Sequence, residues 1–371
     1  MISLLSNGHC LVALLIAGGF ASLICDAAPA APKNGDMAYD ALIKKYWDPE
    51  MKFFRKEERG RRKADFWLSA QLWDTVMDQY DRTKSREVKR LIGEVYDGFV
   101  KEHPDWTTNK YNDDIMWWSI ACTRAYKITG EKRYLDKAKA SFDFVYDNFH
   151  DSAMGGGIYW INERTCKNSC INSPAVIAAV RLSILLKDPA YLAKAKSLYA
   201  WQKETLTDGT GKVFDNIEIE KETGSPRIAR FSLTYNQGTF IGAAVLLYQQ
   251  TKEKAYLEDA VKTAQWTHDH LCRTEKRILQ PEGQGDGGAF KGIFIRYIKL
   301  LIDDCGRKEF LPWMMTNAET AWSNRREADN IMGFDWSAPT GPGIESQTAG
   351  SAVTAVLVFG DDRGKTKKTN R

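Results

Sequence analysis

Three segments of this chain repeat one pattern. Around Tyr134, Tyr191 and Tyr256 the sequence reads Tyr-Leu-x-x-Ala, and an aromatic follows ten residues after each tyrosine: Phe144, Trp201 and Trp266. These positions form one apolar stripe on a helix. Phe310, Leu311 and Met314 read as a degraded copy. The tyrosines stand 57 and 65 residues apart, a period that holds two helices rather than one. A second helical segment precedes each copy and carries few charges and many small residues, as in 241–247, Ile-Gly-Ala-Ala-Val-Leu-Leu. Such segments read as inner helices packed on several sides. The Tyr-Leu copies, with Lys and Glu on one face, read as outer helices.

Strand-like alternation is scarce and helical periodicity common. Twelve helices are expected, near 36–49, 67–81, 85–102, 113–128, 131–149, 173–186, 188–206, 235–251, 253–272, 288–304, 307–328 and 344–358. Six stacked helix pairs make either an open superhelix or a closed ring, and periodicity leaves both open. The closed form is an all-α (α/α)6 toroid of six inner and six outer helices. The segments that lead into inner helices are rich in Gly, Asn, Asp and aromatics: 111–114, 155–160, 167–172, 234–237 and 282–288. In a ring they would share one face, where loops on a rigid scaffold carry function.

The ends divide from the middle by composition. An apolar run over 11–25 is followed by small residues and Pro, with Ala28-Pro29-Ala30 as a cleavage site. That order is a secretory signal, here without the usual basic start. Residues 1–30 are therefore expected to be a signal peptide, 31–360 one helical domain, and 361–371 a basic, disordered tail. The expected location is outside the cell or in the periplasm. No later segment reads as a membrane span. The net charge is only +4, so nucleic acid is not indicated. Of the five cysteines beyond the signal, Cys166 and Cys170 are close enough to pair, though spacing does not establish it. No motif calls for a metal or organic cofactor, and a monomer is expected.

The stretch 112–118, Asn-Asp-Asp-Ile-Met-Trp-Trp, carries the most chemistry. A lone Asp pair at a helix start is ordinarily a cap. Here three polar residues stand where one cap suffices, and Trp117 and Trp118 follow within a turn. Two neighbouring carboxyls, Asp113 and Asp114, repel, so one holds its proton while the other ionises. Glycoside hydrolysis needs such a pair. Trp117, Trp118, Tyr159 and Trp160 are flat surfaces for sugar faces or else core packing. Lys167, Asn168, Asn172, Asn236 and Gln237 offer hydrogen bonds to hydroxyls, although Asn172 and Asn236 equally suit helix caps. The Gly-rich run 283–288 has no strand before it, which argues against a phosphate loop. It suits a turn that a ligand approaches closely, with Phe290, Lys291 and Arg296 facing either the cleft or a structural ion pair.

At these motifs the chain resembles glycoside hydrolase family 76, the α-1,6-mannanases. The matching stretches are 111–118, 155–160, 167–172, 234–238 and 286–294, in the family's order across nearly the whole helical region. The resemblance implies an (α/α)6 fold and retaining endo-hydrolysis of α-1,6-mannan. It implies Asp113 as nucleophile and Asp114 as acid/base, with Asp215 and Asp286 among the substrate-binding residues. Ile115 and Met116 stand where relatives frequently carry small residues. Four other readings share the fold or the aromatics: a mannan transglycosylase, a sugar epimerase, an unsaturated-uronide hydrolase and a non-catalytic mannan-binding protein. Epimerases of this shape resemble enzymes with paired His, which the polar loops here lack.

Overall fold

Each Tyr-Leu copy begins at a backbone kink. In the computed structural model, which describes residues 33–360, the inner helices α2 (Phe66–Thr83), α4 (Asn112–Thr129), α6 (Ser169–Leu186) and α8 (Thr234–Thr251) all end in a left-handed residue. These are Lys84, Gly130, Lys187 and Lys252, with φ of 54°, 78°, 56° and 63°. The left-handed residue stops the helix and turns the chain back. The outer helices α3 (Arg86–Glu102), α5 (Lys132–Phe149), α7 (Pro189–Thr205) and α9 (Lys254–His270) start two residues later. Gly306 (φ 70°) stands at the same distance from Phe310 and Leu311. It separates α10 (Gly287–Asp303) from α11 (Leu311–Ser323) and accounts for the degraded copy. The remaining helices are α1 (Asn34–Tyr46) and α12 (Ser346–Phe359).

The repeated tyrosine packs each outer helix on the one before it. Tyr134 meets Tyr96 of α3, Tyr191 meets Phe142 of α5, and Tyr256 meets Tyr199 of α7, at centroid distances of 4.8, 5.5 and 5.0 Å. Inner helices approach closely through small residues. A Cβ on Gly238 would lie 2.5 Å from the Phe294 backbone of α10, so α8 and α10 require glycine there.

The inner helices α2, α4, α6, α8, α10 and α12 pack in that order, and α12 packs back on α2. The ring is closed: the fold is the (α/α)6 toroid, not the open superhelix. Helix α1 packs on α12, so the first described helix completes the outer layer. Closure is specific in its polar contacts. Arg296 of α10 donates to Asp78 (2.9 Å) and Gln71 (3.0 Å) of α2 and to Thr354 of α12 (3.0 Å). Helix α6 is long and apolar enough to cross a membrane, yet 72% of it is buried inside the ring. Its apolarity is that of a helix packed on all sides.

Strands are short. β1 (Trp47–Asp48) pairs with β2 (Phe53–Phe54), and β6 (Cys272–Arg273) with β7 (Ile278–Leu279). A three-stranded antiparallel sheet joins β3 (Cys166–Asn168), β4 (Asn216–Ile219) and β5 (Pro226–Ala229), with β4 central. The sheet pulls the start of α6 towards the 206–233 connection. Helix α6 starts at 169 rather than 173, which puts Asn172 inside it. Cys166 and Cys170 are both free thiols. The signal segment and the basic tail lie outside the described residues.

Candidate active site

A belt of hydrogen bonds links the inner-helix starts around one mouth of the ring. Trp118 of α4 donates its indole N–H to Phe66 O at the start of α2 (2.9 Å). Asn112 donates its backbone N–H to Trp160 O (2.8 Å) and its side-chain amide to Tyr159 O (2.9 Å). Asn172 of α6 holds that same segment, accepting from Ile158 N (2.8 Å) and donating to Ile158 O (3.0 Å). Ser169 N donates to Asp215 O (2.7 Å) ahead of α8. Glu282, ahead of α10, accepts from Thr234 N (2.8 Å). Glu345, ahead of α12, accepts from Gly285 N (2.6 Å), and Ser346 N donates to Lys56 O (2.8 Å) ahead of α2. Every gap around this mouth is bridged, so side chains on the first turns are held in fixed positions.

Asp113 and Asp114 sit in the first turn of α4, 8% and 9% exposed. Burial disfavours a charged carboxylate. It raises Asp113 well above the usual range, helped by the neighbouring charge of Asp114, and it lifts Asp114 to about 7. Opposing effects are local. The Cys170 thiol, the Trp160 indole and a backbone N–H favour ionised Asp113. Asn109 Nδ2 donates to Asp114 Oδ2 (2.9 Å). Asp113 Oδ1 is buried with no partner among the described residues. The two carboxyls titrate as a pair.

A continuous aromatic wall faces them. Tyr235 packs on Phe290 (4.3 Å), Phe290 on Trp67 (6.2 Å) and Trp67 on Trp117 (6.0 Å), with interplanar angles of 29° to 35°. At one end Tyr235 OH donates to Asp215 Oδ1 (2.8 Å), and Asn236 Nδ2 adds a bond of 3.2 Å. Burial raises the Asp215 carboxyl against these two donors. In the middle of the wall Trp67 Nε1 donates to Asp286 Oδ1 (3.0 Å). Trp160 stacks on Tyr111 (5.3 Å) beside the carboxyl pair.

The structure thus brings together Asp113, Asp114, Trp117, Trp160, Asp215, Asn236, Asp286 and Phe290. Asn168 stands next to them in β3, its Oδ1 buried and without a partner among the described residues. Seven expected contacts lie instead in the frame. Trp118 is fully buried against Phe99, 3.7 Å away. Tyr159 is 5% exposed and covered by the Lys167 ammonium (4.3 Å). Asn172 spends its amide on 158 and 168. Gln237 accepts from Val213 N (2.8 Å) and donates to Gly211 O (3.0 Å). Lys291 is enclosed, donates to Phe334 O (2.5 Å), and is pushed down to about 7 by burial. Lys167 is likewise a frame residue, tying Asp151, Ala153 and Gly156 together. Arg296 lies towards the opposite mouth, lining a cavity of ≈ 400 Å³ with Asp78 and Arg124.

Sequence reasoning missed Trp67, Tyr235, Cys170 and Asn109. Tyr235 lay within a motif already singled out, and Trp67 lies one residue into an inner helix, as the better-placed residues do. Cys170 lay within the 167–172 segment too, but was read there only as a possible disulfide partner.

Comparison with known proteins gives a consistent answer. The model of glycosyl hydrolase family 76 matches residues 32–368. The GH76A α-1,6-mannanase of Salegentibacter sp. HEL1_6 is 32% identical, with a TM-score of 0.82 over 88% of this chain and 98% of that one. An inactive variant of that enzyme, with two adjacent aspartates replaced by alanine, was solved with α-1,6-mannotetrose. It is 31% identical with a TM-score of 0.83, covering 89% and 99%. A mannan endo-1,6-alpha-mannosidase of Candida albicans is 24% identical over 216 residues, 52% of this chain and 47% of that one. The chain spans about half the length of that curated relative.

Proposed function

The chain belongs to glycosyl hydrolase family 76, and from that premise we propose that it is a retaining, endo-acting hydrolase of α-1,6-linked mannan. The observation that carries the proposal is the enclosed Asp113–Asp114 pair at the start of an inner helix, faced by an aromatic wall. A bacterial mannanase of 32% identity supports it, being inactive when two adjacent aspartates are replaced. Export through the 1–30 segment belongs to the same proposal, since a polymeric substrate lies outside the cell.

Asp114 donates its proton to the departing glycosidic oxygen while Asp113 attacks the anomeric carbon. A covalent glycosyl-enzyme forms and a shortened mannan leaves. Asp114, now ionised, takes a proton from water, which displaces Asp113 and releases the second product. A group near 7 suits acid and base duty in turn. Burial works against an ionised Asp113. The thiol, indole and backbone donors around it work in its favour, as does the positive charge that develops on the sugar. Trp67 and Phe290, the half-buried rings of the wall, offer the apolar faces of sugars a surface, Trp117 and Tyr235 back them, and Asp215 accepts hydroxyl hydrogens at the end of the wall.

The test is incubation with linear α-1,6-mannan, with products sized and their anomers followed by NMR. Internal cleavage to oligosaccharides of retained configuration is expected. Intact polymer, or products of inverted configuration, would overturn the proposal. Product transferred mainly to sugar acceptors would reassign it to transglycosylation.

A further inference from the structure

Burial is the main cause of the raised proton affinity of Asp114, and two carboxylates on neighbouring elements add to it: Asp286, just before α10, and Asp65, just before α2. They differ in their own partners. Asp65 is compensated, with Lys56 at 2.5 Å and Arg62 at 3.7 Å. Asp286 has no cation within ion-pair distance among the described residues. Its side-chain partner is the Trp67 indole N–H at 3.0 Å. That bond is neutral and directional, so it fixes the carboxylate without cancelling its charge. Trp67 is itself held between Trp117 of α4 and Phe290 of α10. The indole therefore spans the three helix starts that carry Asp65, Asp114 and Asp286. The other groups around Asp114 are the Asn109 amide, which favours its ionised form, and Asp113 at its side.

We propose that Trp67 and Asp286 form a positioning pair for the catalytic carboxyls, in which the indole N–H, packed on Trp117 of α4, holds an uncompensated carboxylate at the cleft mouth beside Asp114. The use of the Asp114 proton rests on the acid/base role given to Asp114 above; the through-space effect does not. Like charges disfavour each other's ionisation, and a salt-dependent effect is expected because Asp286 is exposed. Removing the charge therefore lets Asp114 ionise at lower pH.

The experiment is a carboxyl-¹³C NMR titration of the full chain, with the Asp114 signal assigned through D114N. In D286N the Asp114 midpoint falls by roughly half a pH unit. W67F, which keeps the ring and loses the N–H, moves it the same way by less. Raising salt from ~0.01 M to ~0.5 M lowers the wild-type midpoint and barely moves that of D286N. The basic limb of kcat/KM on mannan shifts down in parallel. An Asp114 midpoint unchanged in D286N overturns the proposal. So does a rise in KM at every pH with the basic limb unmoved, which would make Asp286 a sugar contact only. If the wild type cleaves no mannan, the function proposed above fails, and the NMR titration still decides this one.

Discussion

Asp114 is held against its own solvation. An exposed aspartate releases its proton near 3.9, whereas burial lifts this one to about 7. Below pH ~4 folded and unfolded chains both keep the proton, so the shift has no effect on stability. From there to about 7 the unfolded chain releases a proton that the folded one retains, and stability falls as pH rises. Asp114→Asn removes that loss. Its melting temperature should exceed the wild type's by a few degrees at pH 7 and match it below pH ~4, as thermal scans across pH would show. The same substitution, like Asp113→Asn, should lower mannan hydrolysis roughly a thousandfold. Azide should separate the roles: Asp114→Ala should yield a glycosyl azide of retained configuration, and Asp113→Ala one of inverted configuration. Retention in the Asp113 variant would exchange the two assignments.

At the scale of elements, the cleft depends on how tightly the 153–160 segment is clamped between helices. Gly157 has φ +78°, and a Cβ there would sit 2.6 Å from the Trp201 ring. Asn172, inside α6, closes the other side with two bonds to Ile158. Asn172→Ala leaves buried backbone groups at 158 unpaired, at a cost of about 2–3 kcal/mol. Because the same segment carries Trp160, kcat should fall along with stability. Denaturant melts paired with kinetics would check this, and unchanged kcat in a destabilised variant would show that Trp160 is held by other means. The tyrosines of the repeat were legible because Tyr-Leu-x-x-Ala, with an aromatic ten residues after each Tyr, recurs as one helical stripe. The three left-handed lysines were not, since Lys has no preference for that conformation and neighbouring packing imposes it.

At the scale of the whole molecule, the ring is stitched on the far side of the carboxylate pair. Arg296 and Arg124 share Asp78, which their charges hold below the usual range despite its burial. Arg296→Met should destabilise the fold by about 3 kcal/mol by leaving Asp78 partly uncompensated. KM for mannan should stay near the wild-type value, because Arg296 stands among the C-terminal halves of the inner helices. Equilibrium unfolding and initial rates on one preparation test both halves. A large rise in KM with normal stability would return Arg296 to the cleft.

The helices, their pairing and the position of Asp113 and Asp114 at a helix start were readable along the chain, because helical periodicity and capping chemistry are local. Even the alternation of inner and outer helices followed from composition. Three things waited for the tertiary structure. Closure required α12 to meet α2, a contact that no period encodes. The separation of Trp117 from Trp118 required knowing which side of α4 faces the cleft: adjacent residues turn about 100° on a helix, and here one joins the wall while the other fills the core. The two carboxylates that add to the effect of burial on Asp114, Asp65 and Asp286, stand 221 residues apart along the chain. Only ring closure brings them within electrostatic reach.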